Sequence, residues 1–359
     1  MKRRLCALAL CLALPLCSCA AMLEREQTSL QPHPQTLTVD QDPSVLEAST
    51  YQELVSAILY LVTQHSEEGT VRLYNYAGEV EADLTAACLE VVQKDPLGAY
   101  AVDYIKHEVS RIVSYYEAQL TLSYRRTTEE MAQVVSVTGS GAIKSELRET
   151  FSGFGERCVL RVSYLPEDDD YLQALIRQAY YDTPQTAFGL PQVQLALYPE
   201  SGVQRIVEAT VEYPLSPSTR LTVQAQLNEV VDAIFAAQTV PATPRILFNL
   251  LTTRVEWTSN ADCSTAHDAL VRGRSNAEGL ALAYKLLCDR AGLSCTVVTG
   301  EKSGTPHFWN IVTTESGSRH VDLAAGLYAL TDLQLQQQGS YVWDSSYPIC
   351  RDGSEIEIF

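Results

Sequence analysis

The sequence has few basic residues, with 26 Lys and Arg against 44 Asp and Glu. Three of the bases and no acid lie in the first 18 residues, so the rest of the chain has 23 bases against 44 acids and a net charge of −21. Such a chain lacks the cationic surface that nucleic-acid phosphates require, and we expect no nucleic-acid partner. Its 18 Gly and 15 Pro are ordinary numbers, which excludes collagen-like and proline-rich low-complexity chains.

Apolar runs long enough to cross a bilayer are absent from the sequence. The run from Leu5 to Leu16 follows Lys2, Arg3 and Arg4, and it is shorter than the roughly 20 residues that a spanning helix needs. A short apolar run behind a basic N-terminus is typical of a signal peptide. We therefore expect an exported protein with a folded, acidic body.

The end of this signal carries a possible lipidation site. It reads Leu16-Cys17-Ser18-Cys19-Ala20, which resembles the bacterial lipobox, where cleavage after a small residue leaves an acylated Cys. Cys19 fits that position, whereas the bulky Leu16 would precede a cut before Cys17. The resemblance implies a signal over residues 1–18 and membrane lipid as a partner through acylated Cys19, at the outer face of the bacterial cell membrane. An ordinary secretory signal is the alternative, and it also exports the protein.

Cysteine and histidine lack the spacings of common metal sites. There is no CxxC and no HExxH, so we expect neither a metal nor another cofactor. Once the signal is removed and Cys19 is acylated, six cysteines remain, and we expect small buried hydrophobic residues, with one disulfide as the alternative. These are Cys88, Cys158, Cys263, Cys288, Cys295 and Cys350.

Two stretches after a proline-containing tether over 19–48 show the same order of helices and strands. A capping box at Thr50 predicts the start of the first helix, and alternating strands are predicted over Tyr116–Tyr124 and Val207–Tyr213, 91 residues apart. We infer two related α+β modules, over 49–138 and 139–239. Coincidence between two ordinary α+β segments is the alternative.

The last third of the chain, residues 240–359, contains the chemistry-bearing motifs. Ser275-Asn276-Ala277-Glu278 has capping-box spacing, which predicts a helix from Ser275 to Gly292. Further on, Phe308–Thr313 and Arg319–Leu323 flank a turn and predict a hairpin.

Three motifs in this region resemble one family. The stretch 269–281 resembles the start of the nucleophile helix of bacterial transglutaminase-like proteins, which are relatives of papain-type cysteine hydrolases. The stretch 304–310 resembles that family's histidine strand, and 320–322 resembles its aspartate strand. The resemblance covers about residues 243–350 and implies a transglutaminase-like α+β domain over 240–359.

The same resemblance assigns roles to individual residues. It implies that His307 is the base and that Asp322 orients it. Trp309 and Asn310, which follow His307 in the same motif, are candidates for residues that line the cleft. The position of the nucleophilic cysteine is occupied by Ala277. Alanine has neither a lone pair nor an acidic proton, so the family's covalent acyl transfer cannot occur there.

The degenerate triad predicts a non-catalytic domain that binds or supports a peptide, a wall polymer or an envelope protein. The alternative is a hydrolase or amide transferase, in which His307 and Asp322 act with water or with a displaced thiol such as Cys263. A third possibility is a structural domain, with His307 and Asp322 as a buried hydrogen-bonded pair and Trp309 and Trp343 as core aromatics. An exposed Trp beside a cleft would indicate peptide or glycan contact.

Overall fold

The computed structural model describes residues 45–165 and 169–351, which form an α+β arrangement of helices and sheets. The predicted signal, Cys19 and most of the tether lie outside the described residues. No helix in the described ranges combines the length and the apolar character needed to cross a membrane. The described chain forms two compact units, one of residues 45–92 and 102–124, the other of residues 93–101, 125–165 and 169–351.

The first unit is built on a four-stranded sheet. This part of the chain contains β1 (Val45–Ala48), α1 (Tyr51–Thr63), β2 (Glu68–Tyr74), α2 (Val80–Lys94), α3 (Pro96–Ala101), β3 (Val102–Ile112) and β4 (Tyr115–Tyr124). The strand order is β1-β2-β4-β3, with β1 parallel to β2 and the other neighbours antiparallel. Helix α3 is counted with the second unit.

The start of α1 is the one that the sequence predicts. Thr50 accepts a hydrogen bond from the backbone of Glu53, whose carboxylate accepts one from the backbone of Thr50, so the capping box is confirmed. The start of the sheet lies earlier than predicted, because Val45–Ala48 at the end of the predicted tether pairs with β2. The sequence patterns do not predict β3, an edge strand in which Val102 is buried and the remaining residues are half-buried or exposed.

The second unit begins with a sheet of the same design. Its elements are α4 (Thr128–Ala132), β5 (Val135–Val137), α5 (Ser140–Ser152), β6 (Arg157–Val162), α6 (Asp169–Tyr181), β7 (Gln192–Tyr198), β8 (Arg205–Glu212) and α7 (Pro217–Ala236). The strand order is β5-β6-β8-β7, with β5 parallel to β6 and the other neighbours antiparallel. Both sheets therefore share one topology, which supports our proposal that the two modules are related.

Ionic hydrogen bonds attach α3 to this second sheet. Glu208 on β8 accepts hydrogen bonds from Arg126 and Arg157 at 2.5 and 2.7 Å. Arg157 also donates to the hydroxyl of Tyr100 on α3 at 2.8 Å. Because opposite charges meet here, the partly buried groups keep favourable partners. The network explains why α3 belongs to the second unit although strands of the first unit flank it in sequence.

The remaining elements follow the second module in the chain. They are α8 (Pro244–Arg254), β9 (Glu256–Trp257), α9 (Ala266–Leu270), β10 (Arg274–Ser275), α10 (Ala277–Arg290), β11 (Ser294–Lys302), β12 (Thr305–Thr314), β13 (Gly317–Asp322), β14 (Leu327–Leu330), α11 (Asp332–Gln337) and β15 (Tyr341–Trp343). Five strands form an antiparallel sheet in the order β14-β13-β12-β11-β15, and β9 pairs with β10 in parallel. The predicted hairpin is confirmed as β12 and β13.

A shared core explains why the second unit includes two of the predicted domains. One apolar cluster contains Phe151 and Tyr180 from the second module together with Leu282 and Val297 from the C-terminal domain. Residues 139–351 therefore do not separate into two cores at the predicted boundary near residue 240.

Candidate functional site

The start of α10 differs from the prediction by two residues. The N-cap is Asn276, whose side-chain oxygen accepts a hydrogen bond from the backbone of Gly279 at 3.1 Å, and the helix begins at Ala277. The predicted capping box at Ser275 is wrong, because Ser275 lies in β10 and pairs with Trp257 of β9. Its hydroxyl donates to the carbonyl of Cys263 at 3.1 Å instead.

Ala277, the residue that the family resemblance aligns with the nucleophile, is the first residue of α10. Ala277 is half-buried there, at the helix end where backbone N–H groups and the helix dipole would stabilise a thiolate. The early part of α10 packs against β12, because the side-chain amide of Asn310 donates to the carbonyl of Ala281 at 3.0 Å. Ala281 lies one turn after Ala277 and shares its side of the helix. The structure thus places the alanine on the helix side that contacts the strand carrying His307.

His307 and Asp322 are joined by a short hydrogen bond. Their Nε2 and Oδ2 atoms lie 2.6 Å apart, His307 is largely buried, and Asp322 has no exposed surface. Since Nε2 is engaged, Nδ1 is the ring nitrogen left for another group, and no described residue hydrogen-bonds to it. In a neutral imidazole that donates its Nε2 proton to Asp322, Nδ1 is an acceptor.

Two further donors hold the Asp322 carboxylate. Tyr341 donates its hydroxyl proton to Oδ2 at 2.8 Å, and the backbone of Ala325 donates to Oδ1 at 2.9 Å. Burial opposes ionisation of Asp322, but the hydrogen bond and electrostatic attraction to His307, with the hydrogen bonds from Ala325 and Tyr341, outweigh it and hold the pKa of Asp322 below the ordinary value. The sequence contains no signal for the role of Tyr341, which reaches Asp322 only through the pairing of β15 with β11.

Glu278 is a second site residue that sequence reasoning missed. Its carboxylate accepts a hydrogen bond from the hydroxyl of Tyr181 at 2.9 Å, and burial raises the pKa of the Glu278 carboxyl group. Tyr181 comes from α6 of the second module, and its ring centroid lies 5.6 Å from that of Phe308, the neighbour of His307. A contact across 97 residues of sequence leaves no local pattern from which it could be predicted.

The prediction that Trp309 and Asn310 line a cleft is wrong. Neither residue has exposed surface, because Trp309 packs in a small core with Tyr341, and Asn310 lies between β12 and α10. The indole N–H of Trp309 donates to Nδ1 of His320 at 3.0 Å. Trp309 is therefore a core aromatic, which is the structural alternative considered for it.

Three potential metal ligands meet in this small core. One ligand atom each from His320, Asp332 and Cys350 lies within 4.8 Å of the others. Because Trp309 donates to Nδ1 of His320, the Nε2 atom carries the proton of the neutral ring and donates it to Asp332 at 2.8 Å. Burial also raises the pKa of the Cys350 thiol to about 12. In this structure the group is joined by hydrogen bonds, from Trp309 to His320 and from His320 and the backbone of Cys350 to Asp332.

The burial of the cysteine thiols limits which of them could be the alternative nucleophile. Five of the six cysteines in the described ranges are buried, in agreement with the expectation of small core residues, and Cys263 is half-exposed. The carbonyl of Cys263 accepts a hydrogen bond from the backbone of Asn276 at 2.8 Å, which places the loop at the start of α10. No thiol in the described part of the chain hydrogen-bonds to His307.

Comparisons with known proteins give only distant likenesses. No protein-family profile and no curated protein matches the chain. Among solved structures, the chain is similar to a TGase at 12% identity and a TM-score of 0.26, with 57% of this chain and 60% of the other covered. It is also similar to a candidate cysteine protease from Cytophaga hutchinsonii at 10% identity and a TM-score of 0.25, with coverage of 43% and 66%.

A third likeness has the same character. It is to a candidate protease from Parabacteroides distasonis at 8% identity and a TM-score of 0.22, with 79% of this chain and 45% of the other covered. Each match spans less than two thirds of the other chain. Scores this low carry no argument, so the interpretation of the site depends on its own residues and geometry.

Acid stability should depend on Asp322. Its pKa is lowered in the folded state, so its stabilising contribution is complete above the unfolded-state value of about 3.9 and is lost as the pH falls through the lower folded value. We expect Asp322→Asn to be destabilised at pH 7 by about 1–3 kcal/mol and to lose less stability than wild type between about pH 5 and pH 2. Urea unfolding at each pH measures this difference. The exposed Glu315→Gln is the control, and parallel wild-type and Asp322→Asn curves would refute the prediction.

A thiol restored at the start of α10 should be reactive. In a Cys263→Ser background, Ala277→Cys should react with iodoacetamide at pH 6 about tenfold faster than an unperturbed cysteine, because the helix end and His307 favour the thiolate. Labelling rates followed by mass spectrometry measure this. Adding His307→Gln should remove most of the acceleration, and equal rates with and without His307 would show that the imidazole does not act on this position.

Proposed function

We propose that this chain is an exported, lipid-anchored, transglutaminase-like protein whose C-terminal domain binds a ligand and does not catalyse acyl transfer. The observation that carries the proposal is Ala277 at the first position of α10, in a site that keeps the His307–Asp322 pair. Covalent catalysis by this family's chemistry needs a thiolate at that helix end, and a methyl group cannot supply one.

The His307–Asp322 pair can bind a ligand even though no nucleophile is present. Asp322 fixes the orientation of His307 and leaves Nδ1 able to accept a hydrogen bond from a ligand N–H or O–H group. The half-buried Ala277 leaves a smaller side chain where the family has a thiol. Backbone amides of peptides, hydroxyl groups of wall polymers and side chains of envelope proteins all offer suitable donors, so these remain the proposed partners.

The cleft itself can be tested by filling it. Ala277→Trp places a large side chain at the start of α10 and should reduce recovery of cross-linked envelope partners in a pull-down by about tenfold or more, without loss of the thermal transition. The matched control is Ala291→Trp, at the half-exposed C-cap of the same helix, where recovery should match that of wild type. Equal recovery by Ala277→Trp and wild type would remove the cleft from the proposal.

The anchor has an independent test. Cys19→Ala should release the protein from the membrane fraction, because stable attachment needs the acyl chains and the described residues contain no spanning helix. Fractionation with an immunoblot measures this, and Cys17→Ala is the matched control that should stay attached. A Cys19→Ala protein that remains in the membrane fraction would contradict the lipobox prediction.

A second candidate function is an active thiol enzyme that uses Cys263. The observation that favours it is the hydrogen bond from Asn276 to the Cys263 carbonyl, which places a half-exposed thiol-bearing loop at the start of α10. This function requires turnover of peptide or glutamine-containing substrates that is lost in both Cys263→Ser and His307→Gln. Absence of turnover by wild type, or turnover that survives Cys263→Ser, would leave the binding function as the better account.

A further inference from the structure

The edge strand β3 of the first sheet has no partner strand on its outer side within the described residues. It is 11 residues long, about twice the usual strand length of about 5–6 residues. Its pairing with β4 is regular from Tyr104 to Ile112, and the one irregularity lies near Val102. An exposed edge carries unpaired backbone N–H and C=O groups that can pair with a strand of another chain.

A hydrogen bond elsewhere in the sheet shows which backbone groups of β3 face outward. Leu122 of β4 donates its backbone N–H to the carbonyl of Glu67, directly before β2, at 2.8 Å. Backbone groups of successive strand residues point to alternate sides, so Thr121 points to β3, where it is paired with Lys106. The backbone groups of β3 that point away from β4 therefore belong to Ile105, His107, Val109 and Arg111.

Two copies of this edge can pair antiparallel about a two-fold axis at His107. His107 then lies opposite His107 of the second copy, and Ile105 lies opposite Val109, so residues with outward-facing backbone groups meet as an antiparallel ladder requires. In the same register, Lys106 lies opposite Glu108 of the second copy, and the symmetry repeats this pair. Oppositely charged side chains that face each other across two strands stabilise the pairing.

The charges of β3 disfavour the two adjacent two-fold registers. A register centred on Lys106 places that lysine opposite Lys106 of the second copy, and a register centred on Glu108 does the same with Glu108. Like charges directly opposite each other destabilise a sheet. Since both side chains are exposed in the single chain, they are accessible to a second copy, and their signs select the register centred on His107.

The corresponding edge strand of the second sheet lacks this arrangement. Strand β7 has the same place in its sheet but contains no charged residue. Tyr198 at its end contacts other parts of the same unit, because Arg126 donates to its hydroxyl at 3.3 Å and the ring of Tyr100 packs edge-on against it. The complementary charges are therefore specific to β3 and are not a general property of the edge strands in this fold.

We propose that β3 is the interface of a two-fold symmetric dimer, in which the first-unit sheets of two copies join through β3 with His107 at the axis. A symmetric dimer uses the same surface on both copies, which is what a self-complementary strand provides. The interface uses no residue of the α10 site. It can therefore fail without affecting the proposed binding function, and the reverse also holds.

The ion pairs are tested by exchanging their charges. In sedimentation velocity of the full chain in detergent at pH 8, Lys106→Glu should weaken dimerisation by about tenfold or more, because like charges then face each other twice. Glu108→Lys should weaken it similarly, and the double variant should recover the wild-type dissociation constant. Lys94→Glu, at an exposed lysine of α2, is the matched control with the same change of net charge and should dimerise as wild type does.

The register is tested by cross-linking. In a Cys263→Ser background, a single His107→Cys should form a disulfide-linked dimer under mild oxidation, because position 107 faces its own copy. Ile105→Cys is the control: the two 105 positions are about 14 Å apart in this register, at about 3.4 Å per residue, which is too far for a disulfide. Thermal transitions show that each variant is folded.

A dimer that is weakened by either single charge reversal, restored by the double variant and cross-linked at position 107 supports the proposal. A wild-type chain that remains monomeric at about 100 µM overturns it. Equal dimerisation of wild type and Lys106→Glu also overturns it, because the dimer then forms through another surface. Cross-linking at position 105 as readily as at position 107 excludes the register and with it the proposed axis.

Discussion

The hydrogen bonding of the Asp322 carboxylate is the constraint on which the C-terminal site depends. A carboxylate with no exposed surface opposes folding strongly unless donors surround it. Here the imidazole of His307, the hydroxyl of Tyr341 and the backbone of Ala325 supply those donors. Since these groups come from β12, β15 and the segment after β13, the same interactions that satisfy one charge also fix the order of the sheet.

This constraint gives His307 and Asp322 a structural role that does not depend on the residue at position 277. The methyl group of Ala277, at the half-buried first position of α10, needs no polar partner. Removing His307 or Asp322 would leave the other without its closest partner. The fold therefore requires the His307–Asp322 pair but no particular side chain at position 277. The presence of the pair is thus not by itself a sign of catalysis.

The start of α10 is controlled by a second set of contacts, those of the β9–β10 pair. Ser275 is held in extended backbone by pairing with Trp257, which moves the N-cap to Asn276. The same contacts bring the loop with Cys263 to the helix end and leave the indole of Trp257 exposed beside it. One short parallel pair therefore decides where α10 begins and which residues lie beside its first turn.

Local patterns in the sequence were sufficient for the elements that are specified locally. The capping box at Thr50, the alternating strand over Tyr116–Tyr124 and the hairpin of β12 and β13 depend on residues a few positions apart, and all three are present. The order of motifs also identified His307 and Asp322 as a pair. Edge strand β3 was not predicted because, after the buried Val102, its residues are half-buried or exposed and polar residues outnumber apolar ones.

The features that only the tertiary structure decided depend on groups that are distant in sequence. The burial of Trp309, the contact of Tyr181 with Glu278, the exposure of Trp257 and the common core of residues 139–351 all arise when separate elements pack together. From hydrophobicity and spacing we expect a tryptophan to be buried or to lie at an interface, but these patterns do not distinguish the two environments. The packing of neighbouring elements decides this, because it determines which apolar surfaces are covered and which remain exposed.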